Sequence, residues 1–166
     1  MIRLSHTLSL TPQGDHEIVM SRQFRAPAAL VYDAYTKPDL MKRWFGGPPG
    51  WSLTLCEIDL RIGGTYHFGM SGPDGAVMGM GGVYKDLDRP LLMVNTERFD
   101  PPFGETEQLI TSVLSEKDGL TTFTATIWYE TKQARDGMLG SMGAGIGHGY
   151  DRLEDLLGEL QGEGAQ

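Results

Sequence analysis

Between Trp51 and Tyr129 the chain is a succession of short alternating segments separated by tight-turn residues, and this constrains the fold more than anything else in it. The candidate strands are 51–60, 65–70, 77–87, 91–99, 107–116 and 120–129. Between them stand Arg61-Ile62-Gly63-Gly64, Ser71-Gly72-Pro73-Asp74-Gly75, Asp86-Leu87-Asp88-Arg89-Pro90 and Glu116-Lys117-Asp118-Gly119. Each carries the glycine, proline or aspartate that a hairpin connection uses. Strands joined by so few residues pair antiparallel, because a parallel crossover needs a dozen residues or more.

The flanking segments supply what such a sheet needs to bury one face. Residues 4–24 read as two strands split at Pro12-Gln13-Gly14-Asp15. A helix then begins at Pro27, with Leu30, Val31, Ala34 and Tyr35 at helical spacing, and a second, short one spans Pro38 to Trp44. From Thr131 to Leu160 apolar residues return at a helical period, with Met138, Met142, Ile146, Tyr150 and Leu153 on one stripe. The expectation is an α+β domain: a curved antiparallel sheet wrapped around a long C-terminal helix, with two short helices after the first strand region. It occupies residues 1–162 as a single domain, with 163–166 a frayed tail.

Charge and cysteine content narrow the function classes. Fourteen Lys and Arg against 22 Asp and Glu give a net charge of -8, which repels phosphate backbones and anionic membranes. No stretch approaches the 18 apolar residues of a membrane span. The single cysteine, Cys56, has no partner for an internal disulfide, and a reducing, cytoplasmic compartment fits.

Motifs for catalysis are lacking. The four histidines, His6, His16, His67 and His148, do not stand at metal-ligand spacing, and the glycines from Gly143 to Gly149 match neither dinucleotide nor phosphate-loop patterns. No catalytic set, metal site or cofactor site is assigned. The acids Glu57 and Asp59 share one side of their strand, where they either pair with Arg61 or Arg22 or, for Glu57, face a pocket.

The compositional surplus is more informative. There are 23 glycines where average usage gives about 12, and nine methionines. The glycines concentrate in two places, Gly46 to Gly82 and Gly137 to Gly149. Tyr66, Phe68 and Met70 alternate onto one strand face; Met78 and Met80, with Tyr84, share another; Met93 lies on the next strand. Methionine lines surfaces that must adapt. A cavity between these faces and the C-terminal helix is expected, walled by Tyr66, Phe68, Met70, Met78, Met80, Met93, Met138, Met142 and Ile146. Glu57 is its candidate polar group, and Trp44, Phe45 and Trp51 stand at its mouth or seal its end.

Several of these pieces carry a family likeness: Arg22-Gln23-Phe24-Arg25-Ala26-Pro27, Val31-Tyr32-Asp33-Ala34-Tyr35-Thr36-Lys37-Pro38, Trp44-Phe45-Gly46-Gly47-Pro48, Glu57-Ile58-Asp59-Leu60-Arg61-Ile62-Gly63-Gly64 and Gly82-Val83-Tyr84. Over residues 16–160 the chain resembles the START-like (SRPBCC) superfamily, and within it proteins homologous to the activator of the 90-kilodalton heat-shock chaperone ATPase. The resemblance implies a helix-grip fold and a carrier of a small hydrophobic or amphipathic molecule. A monomer or weak homodimer is expected. A cavity enzyme of cyclase or hydrolase type using Glu57 or His67 is the second reading. A chaperone-cofactor-like interaction module, after the multidomain relatives, is the third.

Overall fold

The computed structural model describes residues 4–47, 49–101, 106–141 and 143–164. After a 3-10 turn at Leu4–Thr7 come β1 (Ser9–Gln13), β2 (Glu17–Phe24), α1 (Ala28–Thr36) and α2 (Pro38–Trp44). Six strands follow: β3 (Ser52–Ile58), β4 (Thr65–Ser71), β5 (Val77–Asp88), β6 (Leu92–Phe99), β7 (Gln108–Lys117) and β8 (Leu120–Trp128). The chain ends in α3 (Lys132–Ser141) and α4 (Gly143–Gly164). All eight strands form one antiparallel sheet in the order β1-β2-β8-β7-β6-β5-β4-β3. The expected helix-grip architecture is therefore what the chain adopts.

Local chemistry explains the elements. Between β7 and β8, Asp118 and Gly119 both take positive φ, 54° and 79°, the primed turn whose twist matches its flanking strands. Helix α2 starts on Pro38, where a missing N–H costs nothing, with Asp39 in its first turn and Lys42 and Arg43 in its last. The α1 N-terminus takes its hydrogen-bond acceptor from elsewhere: Glu116 Oε1 accepts the Ala28 N–H at 2.7 Å. The expected C-terminal helix is present: helix runs up to Ser141 and again from Gly143, and Met142 lies outside the described residues. Of the tail 163–166, residues 163 and 164 belong to the last turn of α4, and 165–166 lie outside the described residues.

The core lies between the concave face of the sheet and α1, α2 and α4. Strand β2 alternates with every second residue buried, so Ile18, Met20, Arg22 and Phe24 face inward. Phe24, Tyr35, Trp44, Phe123 and Tyr150 form an aromatic nest: Tyr35 stacks on Phe123 at 4.7 Å and meets Trp44 edge-on at 4.9 Å, while Phe24 meets Tyr150 edge-on at 5.8 Å. Arg22, 1% exposed, is held by Asp151 and Glu154 of α4, both at 3.2 Å, and lies over the Phe24 ring at 5.1 Å. This buried cation clamps helix to sheet. The same Glu154 oxygen accepts the Leu4 N–H at 2.7 Å. No helix among the described residues is long and apolar enough to cross a membrane.

Candidate functional site

The register of the sheet decides which side chains meet. Phe68 pairs with Met80 and Met70 with Met78, and Met80 in turn pairs with Phe99, so these residues share the concave face. Tyr66, Phe68, Met70, Met80 and Met93 are all buried in the main core cluster, with Met78, Phe45, Trp51 and Ile146 packed against it. Trp44 is a core residue that donates its indole N–H to the Ala34 carbonyl at 2.8 Å, and its neighbour Phe45 reaches Phe68 at 5.6 Å. Trp51 is half-buried and lies against Gly72, where any Cβ would collide with its ring. Met138 departs from the expected wall. It joins a second cluster with Ile18, Ile127 and Tyr129.

Glu57 does not face the interior. A bulge between Leu53 and Leu55 shifts the phase of β3, so Leu53 is buried while Leu55 and Glu57 are exposed and Cys56 turns inward. Glu57 pairs in register with His67, and both flank an open groove of about 290 Å³ with Ile58, Asp59, Thr65 and Tyr66. His67 is 44% exposed and bonded to Asp100 at 2.7 Å. Asp59 pairs with Arg61 at 2.9 Å, the arrangement the sequence suggested. The two groups on which a cavity enzyme would have rested thus both lie on the solvent side.

What sits on the concave face instead is a polar set supplied by β6 and β7. Met93, Asn95, Glu97 and Phe99 alternate on one side of β6. Asn95 pairs with Tyr84 and Ile110, both core-packed, and Glu97 pairs with the buried Gln108. Main and second clusters meet along this line: Ile110 packs against both, and the polar residues fall between.

The β5–β6 ladder lapses here, between the pairs Gly81–Arg98 and Tyr84–Asn95. Thr96 takes over the orphaned groups. Its hydroxyl accepts the Val83 N–H at 2.9 Å, and its carbonyl accepts the Tyr66 hydroxyl at 2.6 Å. Gly82 is required at this point because a Cβ would run into the Thr96 carbonyl. Asn95 Nδ2 donates to the Tyr66 hydroxyl at 3.1 Å and to the Thr96 carbonyl at 3.3 Å.

Glu97 is the unusual member. Burial pushes its carboxyl from 4.5 up to about 7, and the bond it accepts from Gln108 Nε2, at a long 3.4 Å, only partly offsets this. Its charge in turn helps hold the Tyr66 and Tyr129 hydroxyls in their neutral form, after desolvation of each ring. Sequence reasoning missed Asn95, Glu97 and Gln108. The signal was present: Asn95 and Glu97 stand two apart between Met93 and Phe99, and so share a face with them. Among the described residues, no group of three His, Cys, Asp or Glu side chains could hold a metal ion.

A concave antiparallel sheet closed by a C-terminal helix, with two short helices after the second strand, defines a helix-grip domain of the START-like class. Residues 25–158 match the model of the Activator of Hsp90 ATPase homolog 1-like protein family, and the chain belongs to that family. Solved structures agree. A crystal structure of a Rhodobacter sphaeroides protein is 26% identical, superposes with a TM-score of 0.84, and covers 92% of this chain and 99% of its own. A solution structure from Staphylococcus epidermidis is 27% identical with a TM-score of 0.77, covering 92% and 94%. A crystal structure of a Nitrosomonas europaea protein is 25% identical with a TM-score of 0.76, covering 91% and 99%. No curated protein matches the sequence.

Proposed function

We propose that this domain binds a small hydrophobic or amphipathic molecule between the concave face of the sheet and the C-terminal helical segment. The observation that carries the reading is the composition of that face. Phe68, Met70, Met80 and Phe99 make an adaptable apolar wall, and Asn95, Glu97 and Gln108 interrupt it with a polar strip between two separate apolar clusters. A sheet that only had to close a core would gain nothing from a carboxyl on its inner face, because an ionised group with one long hydrogen bond costs free energy there.

Thermal unfolding against a library of fatty acids, amines, polyketides and aromatic compounds tests the proposal. A ligand at 100 times its dissociation constant raises stability by about 2.7 kcal/mol. If no apolar or amphipathic compound shifts the transition, the reading fails.

One observation supports a catalytic variant of the same site. A carboxyl titrating near 7 is poised for general acid–base work, and Glu97, not Glu57 or His67, is the inward group with that property. Recovery of the bound compound unchanged after prolonged incubation at pH 7 excludes turnover; conversion that Glu97→Gln abolishes establishes it.

A further inference from the structure

The donor and acceptor balance of the polar strip points to a ligand chemistry, and the argument rests on the binding reading above. Asn95 spends both amide N–H groups, on the Tyr66 hydroxyl and the Thr96 carbonyl, so what it can offer a ligand is an amide oxygen. Tyr66 spends its one hydroxyl proton on the Thr96 carbonyl, leaving only lone-pair capacity. Glu97 brings two carboxyl oxygens, of which one receives the long bond from Gln108. The strip is therefore acceptor-rich, and it calls for donors.

Aromatic faces stand beside these acceptors. The Tyr66 ring lies 5.0 Å from Phe68 and 5.4 Å from Tyr84, tilted in both cases. Aromatic rings next to a carboxyl form the usual environment for an organic cation, which the ring quadrupole and the carboxylate both attract. An apolar body attached to that cation has Phe68, Met80 and Phe99 in register next to it.

We propose that the site selects amphipathic amines: a protonated nitrogen donating to Glu97 and the Asn95 oxygen beside Tyr66, with the hydrocarbon part along Phe68, Met80 and Phe99. Fatty acids of the same length bind more weakly, because above neutral pH a second carboxylate would face the Glu97 carboxylate, and among the strip's side chains only the second Gln108 N–H is left to donate to it. An ionised ligand nitrogen also resolves the cost of the buried carboxyl, so the apo protein holds Glu97 at a disadvantage that binding removes.

The test compares three probes of equal length, octylammonium, 1-octanol and octanoate, by titration calorimetry at pH 7.5 on the whole chain and on its Glu97→Gln variant. Octylammonium is expected to bind at least tenfold tighter than octanoate. Glu97→Gln is expected to weaken octylammonium at least tenfold while leaving 1-octanol within about twofold, which also reports that the variant is folded. Octanoate binding as tightly as octylammonium, or octylammonium indifferent to Glu97→Gln, overturns the amine assignment and leaves the binding reading standing. Failure of all three probes to bind the natural sequence overturns both.

Discussion

The two ends of the concave face are built on different principles. At one end, Phe24, Tyr35, Trp44, Phe123 and Tyr150 interlock and Arg22 ties them to α4 through Asp151 and Glu154. Aromatic packing dominates there, although Arg22 Nε and the Tyr35 hydroxyl are buried without a hydrogen-bond partner. At the other end, the ladder opens at Gly82, Thr96 stands in for missing backbone partners, and Glu97 is held where its charge is unwelcome. The difference teaches that the stability of the domain and its capacity to recognise something are lodged in separate halves of one surface, and that the first allows the second.

If so, mutations should sort by end. The largest effect is expected from Phe123→Ala, which empties the centre of the aromatic nest; denaturant unfolding should show a loss of about 3–5 kcal/mol. Arg22→Met comes next. It removes the charge-assisted contacts to Asp151 and Glu154, but both acids retain solvent and their bonds from Ser5 and Leu4, so the loss should be about 1.5–3 kcal/mol. Neither change should alter which probe class the protein prefers, and a reversal of preference in either variant would break the division.

At the polar end the sign turns around. Glu97 binds its proton more tightly in the folded chain, about 7 against 4.5 unfolded, so it is no burden below pH 4.5 and its ionisation erodes stability as pH rises from there to 7. Tyr66, Tyr129 and Gln108, which surround it, stay neutral across this range. Glu97→Gln should therefore match the natural sequence at pH 4 and exceed it at pH 8 by of order 2–3 kcal/mol. A variant less stable than the natural chain at pH 8 would mean that Glu97 is a structural group. Gly82→Ala should cost about 2 kcal/mol by forcing the Thr96 carbonyl aside, and should loosen the Tyr66 bond with it. The smallest effect belongs to neither end: His67→Ala removes a surface pair on the convex side and should change stability by less than about 1 kcal/mol and leave probe binding as it was.

How much of this was legible depended on the range of the interaction that decides each feature. Hairpins and helix starts are written in adjacent residues, so Asp118-Gly119 and Pro38 announced themselves. The direction of Glu57 is decided by one extra residue at the Leu53–Leu55 bulge, which alternation alone cannot detect; the sequence leaves it either at the surface or facing a pocket, and the bulge turns it outward. Helical periodicity puts Met138 on the stripe with Ile146 and Tyr150, yet it packs with Ile18, Ile127 and Tyr129, a cluster set by which strands the first turns of the helical segment cross. Glu97 is readable from its neighbours Met93 and Phe99, but its residue type points the other way, since an acid in a strand normally faces water. The glycine surplus divides too. Gly82 and Gly81 in β5 are hemmed in by the backbones of neighbouring strands, whereas Gly137, Gly140 and Gly149 in the helices have open space where a side chain would stand.

The strand order has a consequence for how the chain is made. From β4 to β8 every strand pairs with the one before it in sequence, so this meander can form as the chain emerges from the ribosome. Strand β2 is the exception: apart from β1, its partner is β8, and Phe24 waits for Thr121. The N-terminal hairpin, synthesised first, is thus the last piece of the sheet to find its place, and Arg22 stays in water until Asp151 and Glu154 have been translated. Until that moment the nascent domain is a sheet with an unfinished edge at β8, and its closure waits for α4.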